Sequence, residues 1–176
     1  MSYKLILSEI ESFLDSSNFS LDLAIESISS SKRIFIAGAG RSGLVGRFFG
    51  MRLMHLGFDS FIVGETTTPK IKEKDLLIAI SNSGKTASIV NFAKRAKESN
   101  AKVLAITSSE TSPLSDYANS ILLLNGDISK ESKKALPLGS LFELSSLIAL
   151  ESVVAALMER LSLSEESLKA NHTNLE

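Results

Sequence analysis

Runs of mostly apolar residues, each four or five residues long, recur five times along the chain. They occupy positions 34–37, 60–63, 76–80, 103–106 and 121–124, and residues typical of turns follow each of them. The apolar residues are consecutive rather than alternating, which is typical of strands buried on both faces of a parallel sheet. The pattern therefore predicts five buried strands.

Segments with helical spacing separate or flank these strands. Positions 44–57 and 86–98 repeat apolar residues three or four apart, and an amphipathic stretch over about 3–30 predicts an N-terminal helix. After the last strand, positions 127–135 predict a surface loop, and positions 139–176 predict a long helix (about 141–161) followed by a polar tail. Strands that alternate with helices indicate an α/β fold. We predict one domain over 1–176, a single doubly wound, five-stranded parallel sheet flanked by helices.

Composition narrows the class of protein. The chain has 176 residues, a net charge of −1, no cysteine and two histidines. Scattered basic residues give no footprint for nucleic acid, and the absence of cysteine removes thiolate chemistry and Cys-based zinc. The N-terminus lacks the pattern of a signal peptide, and no apolar stretch approaches the ~20 residues that cross a bilayer. We therefore expect a cytoplasmic protein with no metal, no nucleic acid partner and no membrane partner.

A glycine-rich turn after the first strand raises one alternative. It reads Gly38-Ala39-Gly40-Arg41-Ser42-Gly43, the pattern of dinucleotide-binding folds, and Glu65 follows the second strand, where such folds hold a ribose. The chain is short for the substrate domain that usually accompanies this motif. The alternative also leaves the turn after the third strand unexplained. A dinucleotide-binding oxidoreductase is therefore the less favoured interpretation.

The turn after the third strand carries the clearest functional signal. It reads Ser81-Asn82-Ser83-Gly84-Lys85-Thr86 and leads into a predicted helix. Three hydroxyls, a glycine and the free N–H groups of a helix start suit a phosphate group. A helix cap needs only one such side chain, and ligands of parallel folds bind at the carboxyl ends of the strands. We predict that this segment, called the 81–86 turn below, binds a phosphate.

With these turns, further motifs make the chain resemble the sugar isomerase (SIS) family of phosphosugar-binding domains, and within it the 6-phospho-3-hexuloisomerases. The resemblance extends from the N-terminal helix to the last residue. The other matching segments are Met51-Arg-Leu-Met-His-Leu-Gly57, Val63-Gly-Glu-Thr-Thr-Thr-Pro69, Gly139-Ser-Leu-Phe-Glu143 and His172-Thr-Asn-Leu-Glu176.

The resemblance implies a flavodoxin-like SIS fold and a tetramer. It also implies an activity, the interconversion of D-arabino-hex-3-ulose 6-phosphate and fructose 6-phosphate through an enediol. That reaction belongs to the ribulose monophosphate pathway of formaldehyde assimilation and uses no metal or organic cofactor.

The resemblance also implies roles for individual residues. Glu143 matches the family's catalytic glutamate, although the sequence alone explains it equally well as a helix-start acid. His172 matches a histidine that enters a neighbouring subunit's site and shuttles hydroxyl protons. Arg41 and Ser42 are expected to bind the substrate's hydroxyls or phosphate. Glu65 is expected to orient sugar hydroxyls or to anchor its own loop.

Departures from the family leave a second alternative open. Asn82 and Lys85 stand where the family commonly has glycine and glutamate, a change that bears on phosphate affinity because the hydroxyls are kept. A non-catalytic SIS regulator that binds a sugar phosphate is the alternative from another class. Such regulators usually carry a helix-turn-helix segment, which this sequence does not show.

Two features predict a homo-oligomer. The apolar terminal helices exceed what one sheet face covers, and a tail histidine makes chemical sense only in another subunit's site. We expect the apolar stripe of Phe48, Met51 and Met54 in the core or at a subunit contact, and His55 as a packed or interface residue.

Overall fold

Residues 3–175 are described by the structure, a computed structural model of the chain. Its helices are α1 (Tyr3–Ser16), α2 (Leu21–Ser29), α3 (Gly40–His55), α4 (Ala87–Glu98), α5 (Lys130–Ala135), α6 (Ser140–Arg160) and α7 (Glu165–Ala170). Its strands are β1 (Ile34–Gly38), β2 (Ser60–Ile62), β3 (Leu76–Ile80), β4 (Lys102–Thr107) and β5 (Ser120–Leu123). The five predicted strands are confirmed. Met1, Ser2 and Glu176, the last residue of the tail motif, lie outside the described residues.

All five strands are parallel and lie in the order β2-β1-β3-β4-β5. This is the flavodoxin-like order, so the predicted doubly wound α/β sheet is confirmed. Gly38 at the end of β1 is the register partner of Ile80 at the end of β3. The 38–43 turn and the 81–86 turn therefore leave the sheet side by side, at the point where the strand order reverses.

Two apolar layers enclose the sheet, because alternate residues of a strand point to opposite faces. Ile36 and Ile78 belong to the larger apolar cluster, which α1, α2, α3, α6 and α7 complete. Phe35 and Leu77 belong to the smaller one, which α4 covers. Burial on both faces explains why the strands read as continuous apolar runs.

The predicted single N-terminal helix over about 3–30 was wrong, since two helices occupy this stretch. Ser20 starts α2 as its N-cap, and its side chain accepts a hydrogen bond from the N–H of Asp22. Ser16 and Ser17, at the end of α1, accept hydrogen bonds from the N–H groups of Asp127 and Gly126. The break therefore anchors the segment that follows β5.

Helix α6 corrects a further expectation. The segment Pro137–Arg160 is long and apolar enough, by length and composition alone, to cross a membrane. The statement that no stretch approaches this length was therefore wrong. Half of its most apolar stretch is buried inside the protein, and α6 packs against α1, α2 and α3. An apolar helix enclosed in this way has the character of a core helix.

The two segments expected to be irregular contain short helices. Within 127–135, the predicted loop, Ser129 caps α5 by accepting a hydrogen bond from the N–H of Ser132 at 2.8 Å. In the polar tail, Ser164 caps α7 in the same way from Ser167. Both helices are six residues long, too short for a hydrophobic periodicity to mark them in the sequence.

Candidate active site

The 38–43 turn is compact because its glycines allow the backbone to fold onto itself. A Cβ atom on Gly38 would lie 2.6 Å from the Ser42 carbonyl oxygen, and one on Gly43 would lie 2.7 Å from that of Gly38. Contacts this close exclude a side chain at either position. Packing within the turn thus accounts for Gly38 and Gly43, whereas Gly40, whose Cβ position is open, has a positive φ of 55°. The compact turn places Arg41 and Ser42 in the first turn of α3.

Arg41 and Ser42 meet Glu143, which lies in the first turn of α6. Arg41 Nε donates to Glu143 Oε2 at 3.0 Å, and Ser42 Oγ donates to Oε1 at 3.4 Å. The Glu143 side chain is 13% exposed, whereas that of Arg41 is 50% exposed. The carboxylate is therefore held on both oxygens at the rim of the fold, with its cation facing solvent.

The backbone before α6 completes this cluster. Leu138 and Gly139 both adopt positive φ angles, 58° and 82°. The Leu138 carbonyl accepts a hydrogen bond from Arg41 Nη2. The Cβ position of Gly139 is 3.4 Å from Asn82 Nδ2 and 3.8 Å from Arg41 Nη2. Residues 138–139 thus connect the Arg41–Glu143 pair to the 81–86 turn.

The 81–86 turn uses part of its polar set to hold its own shape. Ser81 Oγ and Thr86 Oγ1 lie 3.0 Å apart in a hydrogen bond, and Ser83 Oγ accepts from the N–H of Lys85 at 3.3 Å. Thr86 is the N-cap residue of α4, but its side chain makes no capping hydrogen bond. Capping therefore does not explain these hydroxyls. The side chain of Lys85 is exposed, and nothing in the structure explains its presence.

Gly84 and Asn82 fix the 81–86 turn against the loop that follows β4. Gly84 has φ +63°, a Cβ there would collide with the Ser112 side chain, and its carbonyl accepts from the N–H of Leu114. The Asn82 carbonyl accepts hydrogen bonds from Thr107 Oγ1 and from the N–H and Oγ of Ser108. The glycine is therefore required by backbone conformation and by close approach.

A cavity of about 510 Å³ opens at this edge of the sheet. Its polar lining residues are Asn82, Ser108, Asn125, Ser132 and Lys133. Its apolar lining residues are Phe13, Ile128, Leu136, Leu138, Leu141 and Phe142. Asn82 is the one predicted site residue in the lining, and the Glu143 cluster adjoins it through residues 138–139. The volume lies in the range of pockets that bind small molecules.

His172 is placed away from this cavity within its own chain. Its ring stacks on that of His55 with centroids 5.1 Å apart, and Asn171 Nδ2 donates to the His55 carbonyl at 3.0 Å. His55 ends α3 and Arg41 begins it, a separation of about 21 Å along the helix axis at 1.5 Å per residue. One chain therefore does not bring His172 to Glu143. Burial, then the charges of His172 and Arg52, lower the pKa of His55.

Glu65 also stands apart from the cavity. Its carboxylate pairs with Arg47, and both side chains are about half exposed. Its backbone carbonyl accepts from the N–H of Thr68 at 3.0 Å, which closes the turn after β2. These contacts match the loop-anchoring half of the prediction for Glu65, and its role toward sugar hydroxyls stays a prediction.

Sequence reasoning missed two parts of the cavity wall. Ser108 follows β4 at the carboxyl edge, so the strand pattern already placed its loop near the site. Lys133 lies on α5, in the segment expected to be an exposed loop, and no motif marked it. Among residues 3–175, no three His, Asp or Glu side chains are grouped as a metal site would need.

Comparison with known proteins agrees with this geometry. The sequence model of the SIS domain matches residues 27–149. The 3-hexulose-6-phosphate isomerase of Methylomonas aminofaciens is 38% identical, over 98% of this chain and 97% of its own. That of Bacillus subtilis is 43% identical, over 91% and 89%.

A solved structure extends the similarity to three dimensions. It is that of a hypothetical protein from Methanococcus jannaschii, for which a molecular function of 3-hexulose-6-phosphate isomerase was inferred. It matches with a TM-score of 0.82 and 46% identity, covering 89% of this chain and 85% of that one. The chain therefore belongs to the SIS domain family and, within it, to the 3-hexulose-6-phosphate isomerases.

Proposed function

We propose that the protein is an isomerase that interconverts D-arabino-hex-3-ulose 6-phosphate and fructose 6-phosphate. The observation that carries the proposal is the Glu143 carboxylate, held by Arg41 and Ser42 beside a cavity of mixed polar and apolar lining at the carboxyl edge of the sheet. Relatives that bear the name of this isomerase match the chain over most of its length.

The reaction moves a carbonyl from C3 to C2, and Glu143 is the group proposed to carry the proton. Its carboxylate removes the proton from C2, and the electron pair of that C–H bond forms the C2=C3 double bond. The C3 oxygen takes up a proton, which gives the enediol. The C2 hydroxyl then loses its proton, and protonated Glu143 returns a proton to C3. The product is fructose 6-phosphate, and the carboxylate is regenerated.

Arg41 and Ser42 orient the carboxylate in this proposal. Their contacts occupy one site on each carboxylate oxygen, and a carboxylate oxygen has a second lone pair for the substrate proton. The 81–86 turn is proposed to bind the phosphate, since the first N–H groups of α4 have no side-chain cap. Ser81, Ser83, Gly84, Lys85 and Thr86 would act there with Asn82, which lines the cavity.

The oxygen protons require a second group, for which we propose His172 of a neighbouring subunit. The proposal needs an oligomer, and α3 offers a surface for one. The apolar residues of the predicted stripe, together with Leu44, lie three or four residues apart on α3 and are exposed: Leu44 by 66%, Phe48 by 41%, Met51 by 45% and Met54 by 36%. This stripe is not in the core, so of the two sequence-based expectations for Phe48, Met51 and Met54 the subunit contact remains. A tetramer, as in the family, is the proposed state.

The reaction would join formaldehyde fixation to fructose 6-phosphate in the ribulose monophosphate pathway. Sugar phosphates are charged and are retained inside cells, so we place the protein in the cytoplasm.

The test couples the purified protein to a hexulose-phosphate synthase. With fructose 6-phosphate as substrate, the isomerase forms the hexulose phosphate, and the synthase cleaves it and releases formaldehyde. Release that depends on both proteins supports the proposal. Binding of fructose 6-phosphate by calorimetry with no release would favour a sugar-phosphate regulator. Binding of NADH with none of the sugar phosphate would favour a dinucleotide enzyme.

A further inference from the structure

One wall of the cavity is formed in part by α5, which contributes a cation to the lining. Lys133 is the charged residue among the side chains that line the cavity. The other polar groups there, Asn82, Ser108, Asn125 and Ser132, are neutral. The electrostatic character of the cavity therefore depends on one lysine, and it favours an anionic ligand.

The charge of Lys133 is not compensated by a neighbouring carboxylate. None of the ion pairs found between residues 3 and 175 includes Lys133. Of the other cations at this edge, Arg41 is engaged with Glu143 and with the Leu138 carbonyl, and Lys85 of the 81–86 turn is exposed and does not line the cavity. Of these three cations, Lys133 is the one that lines the cavity, with its full donor capacity available to a ligand.

The position of α5 is fixed by contacts that do not involve Lys133. Ser129 Oγ donates to Glu9 Oε2 at 2.8 Å, and Ser132 Oγ donates to the same oxygen. These two hydrogen bonds lower the pKa of Glu9, which keeps its carboxylate charged as an acceptor. Ser132 is buried and lines the cavity as well. The helix is thus tied to α1 on one side and faces the cavity on the other.

We propose that Lys133 binds the phosphate of the sugar phosphate, opposite the 81–86 turn, so that the anion lies between α5 and Asn82. The inference rests on the proposed function for the identity of the ligand. It goes beyond it by assigning the cation to a helix outside the phosphate-binding motif. A lysine suits this role because its compact charge attracts a phosphate dianion without requiring a fixed approach angle.

This assignment gives the hydroxyl and N–H groups of the 81–86 turn and the ammonium of Lys133 complementary tasks. The hydroxyl and N–H groups of the turn supply directional hydrogen bonds, and Lys133 supplies charge. A hydrogen bond to a charged group contributes enough to change affinity about tenfold or more. Removal of the charge should therefore weaken every ligand that carries a phosphate. It should have less effect on a sugar that lacks one.

The experiment measures the binding of fructose 6-phosphate, inorganic phosphate and fructose to three proteins by calorimetry. They are the wild type, Lys133→Met and Lys134→Met, the last as a matched control because Lys134 is on the same helix and does not line the cavity. We expect Lys133→Met to weaken fructose 6-phosphate and phosphate about tenfold. Lys134→Met should stay within about twofold of the wild type, because a surface charge that does not touch the ligand contributes little.

Unchanged phosphate affinity in Lys133→Met, with folding verified by its unfolding transition, would overturn the inference. Equal weakening by both variants would also overturn it, since it would show a general effect of charge. The outcome is separable from the proposed function. If the wild type binds fructose 6-phosphate in a Lys133-dependent way but releases no formaldehyde in the coupled assay, the phosphate site stands and the isomerase proposal fails.

Discussion

Arg41 Nε donates to Glu143 Oε2 at 3.0 Å, across 102 residues of sequence. The contact joins the first turn of α3 to the first turn of α6, and it fixes the orientation of the carboxylate next to the cavity wall at residues 138–139. The same guanidinium donates to the Leu138 carbonyl, so it also fixes the backbone that leads into α6.

Replacement of Arg41 therefore tests the positioning of Glu143. We expect Arg41→Gln to lower kcat/KM about tenfold or more, because a charge-assisted hydrogen bond is lost. Arg41→Lys should recover only part of the loss. An ammonium keeps the positive charge, but it lacks the planar fork that makes both contacts. Arg52→Gln is the control, since Arg52 pairs with Glu151 at the other end of α3. Equal activity in Arg41→Gln and wild type would show that the pair does not position the base.

The surroundings of Gly84 predict that replacing it by alanine destabilises the protein more than the same replacement at Gly40. Gly40→Ala adds a Cβ in open space at φ +55°, and Gly84→Ala adds one at φ +63° against Ser112. We expect Gly40→Ala to cost about 1 kcal/mol from the left-handed backbone. Gly84→Ala should cost ~1–3 kcal/mol more, because it overpacks a site beside a turn. The free energy of unfolding in urea measures both.

A second-site change tests the cause of that difference. Ser112→Gly removes the side chain that the new methyl group would meet. Ser112→Gly alone is measured as well, because Ser112 also hydrogen-bonds Ser115, and relative to it the added Gly84→Ala change should lose most of its extra cost. An undiminished cost of Gly84→Ala in the Ser112→Gly protein would place the cost elsewhere.

The lowered pKa of His55 predicts a pH dependence of stability. Unfolded His55 takes up a proton near the ordinary histidine value of ~6.5, whereas folded His55 does so only at lower pH. Below pH ~6.5 the unfolded chain therefore binds more protons, and the free energy of unfolding should fall as the pH is lowered toward ~5. The lowered pKa values of Glu9 and Glu166 act in a more acidic range.

The measurement is urea unfolding at pH values between ~5 and ~7.5, and the comparison is between wild type and His55→Gln. The slope between these pH values should be shallower in the variant, because the titrating group is gone. Identical slopes in the two proteins would mean that His55 does not carry the effect.

The exposed stripe on α3 predicts that a charge there disrupts the assembly. Phe48→Glu should shift the oligomer toward smaller species in analytical ultracentrifugation, because an ionised side chain is costly to bury in an apolar contact. Asn91→Glu is the control, since Asn91 is exposed on α4, which covers the opposite face of the sheet and belongs neither to the stripe nor to the terminal helices. A Phe48→Glu protein with the mass of the wild type would show that subunits do not meet at α3.

The fold could be predicted from the sequence where nearly every residue of a strand is buried. The strands β1, β3 and β4 are apolar on both faces, and this is why their positions and order in the chain followed from the pattern alone. The break before α2 could not be predicted, because the apolar spacing continues through it. The new helix is started by one capping side chain, that of Ser20. Short helices such as α5 depend on caps and tertiary contacts in the same way.

The candidate site was readable only in part for a similar reason. Arg41, Ser42 and Glu143 were assigned by resemblance, and the structure brings them together. The cavity wall contributed by Lys133 was missed, because its place depends on Glu9, 124 residues earlier in the chain, holding α5 against α1. Contacts between residues so far apart in the chain leave no recognisable pattern in the sequence around either residue.

The central claim is that Glu143 carries the proton between C2 and C3, and its most direct test is turnover by Glu143→Gln. The coupled release of formaldehyde from fructose 6-phosphate is compared with that of wild type and of Glu151→Gln, a partly exposed glutamate on the same helix. We predict a loss of about 10²–10⁴ in kcat for Glu143→Gln, with fructose 6-phosphate still bound, and little change for Glu151→Gln. Turnover by Glu143→Gln at the wild-type rate would contradict the account.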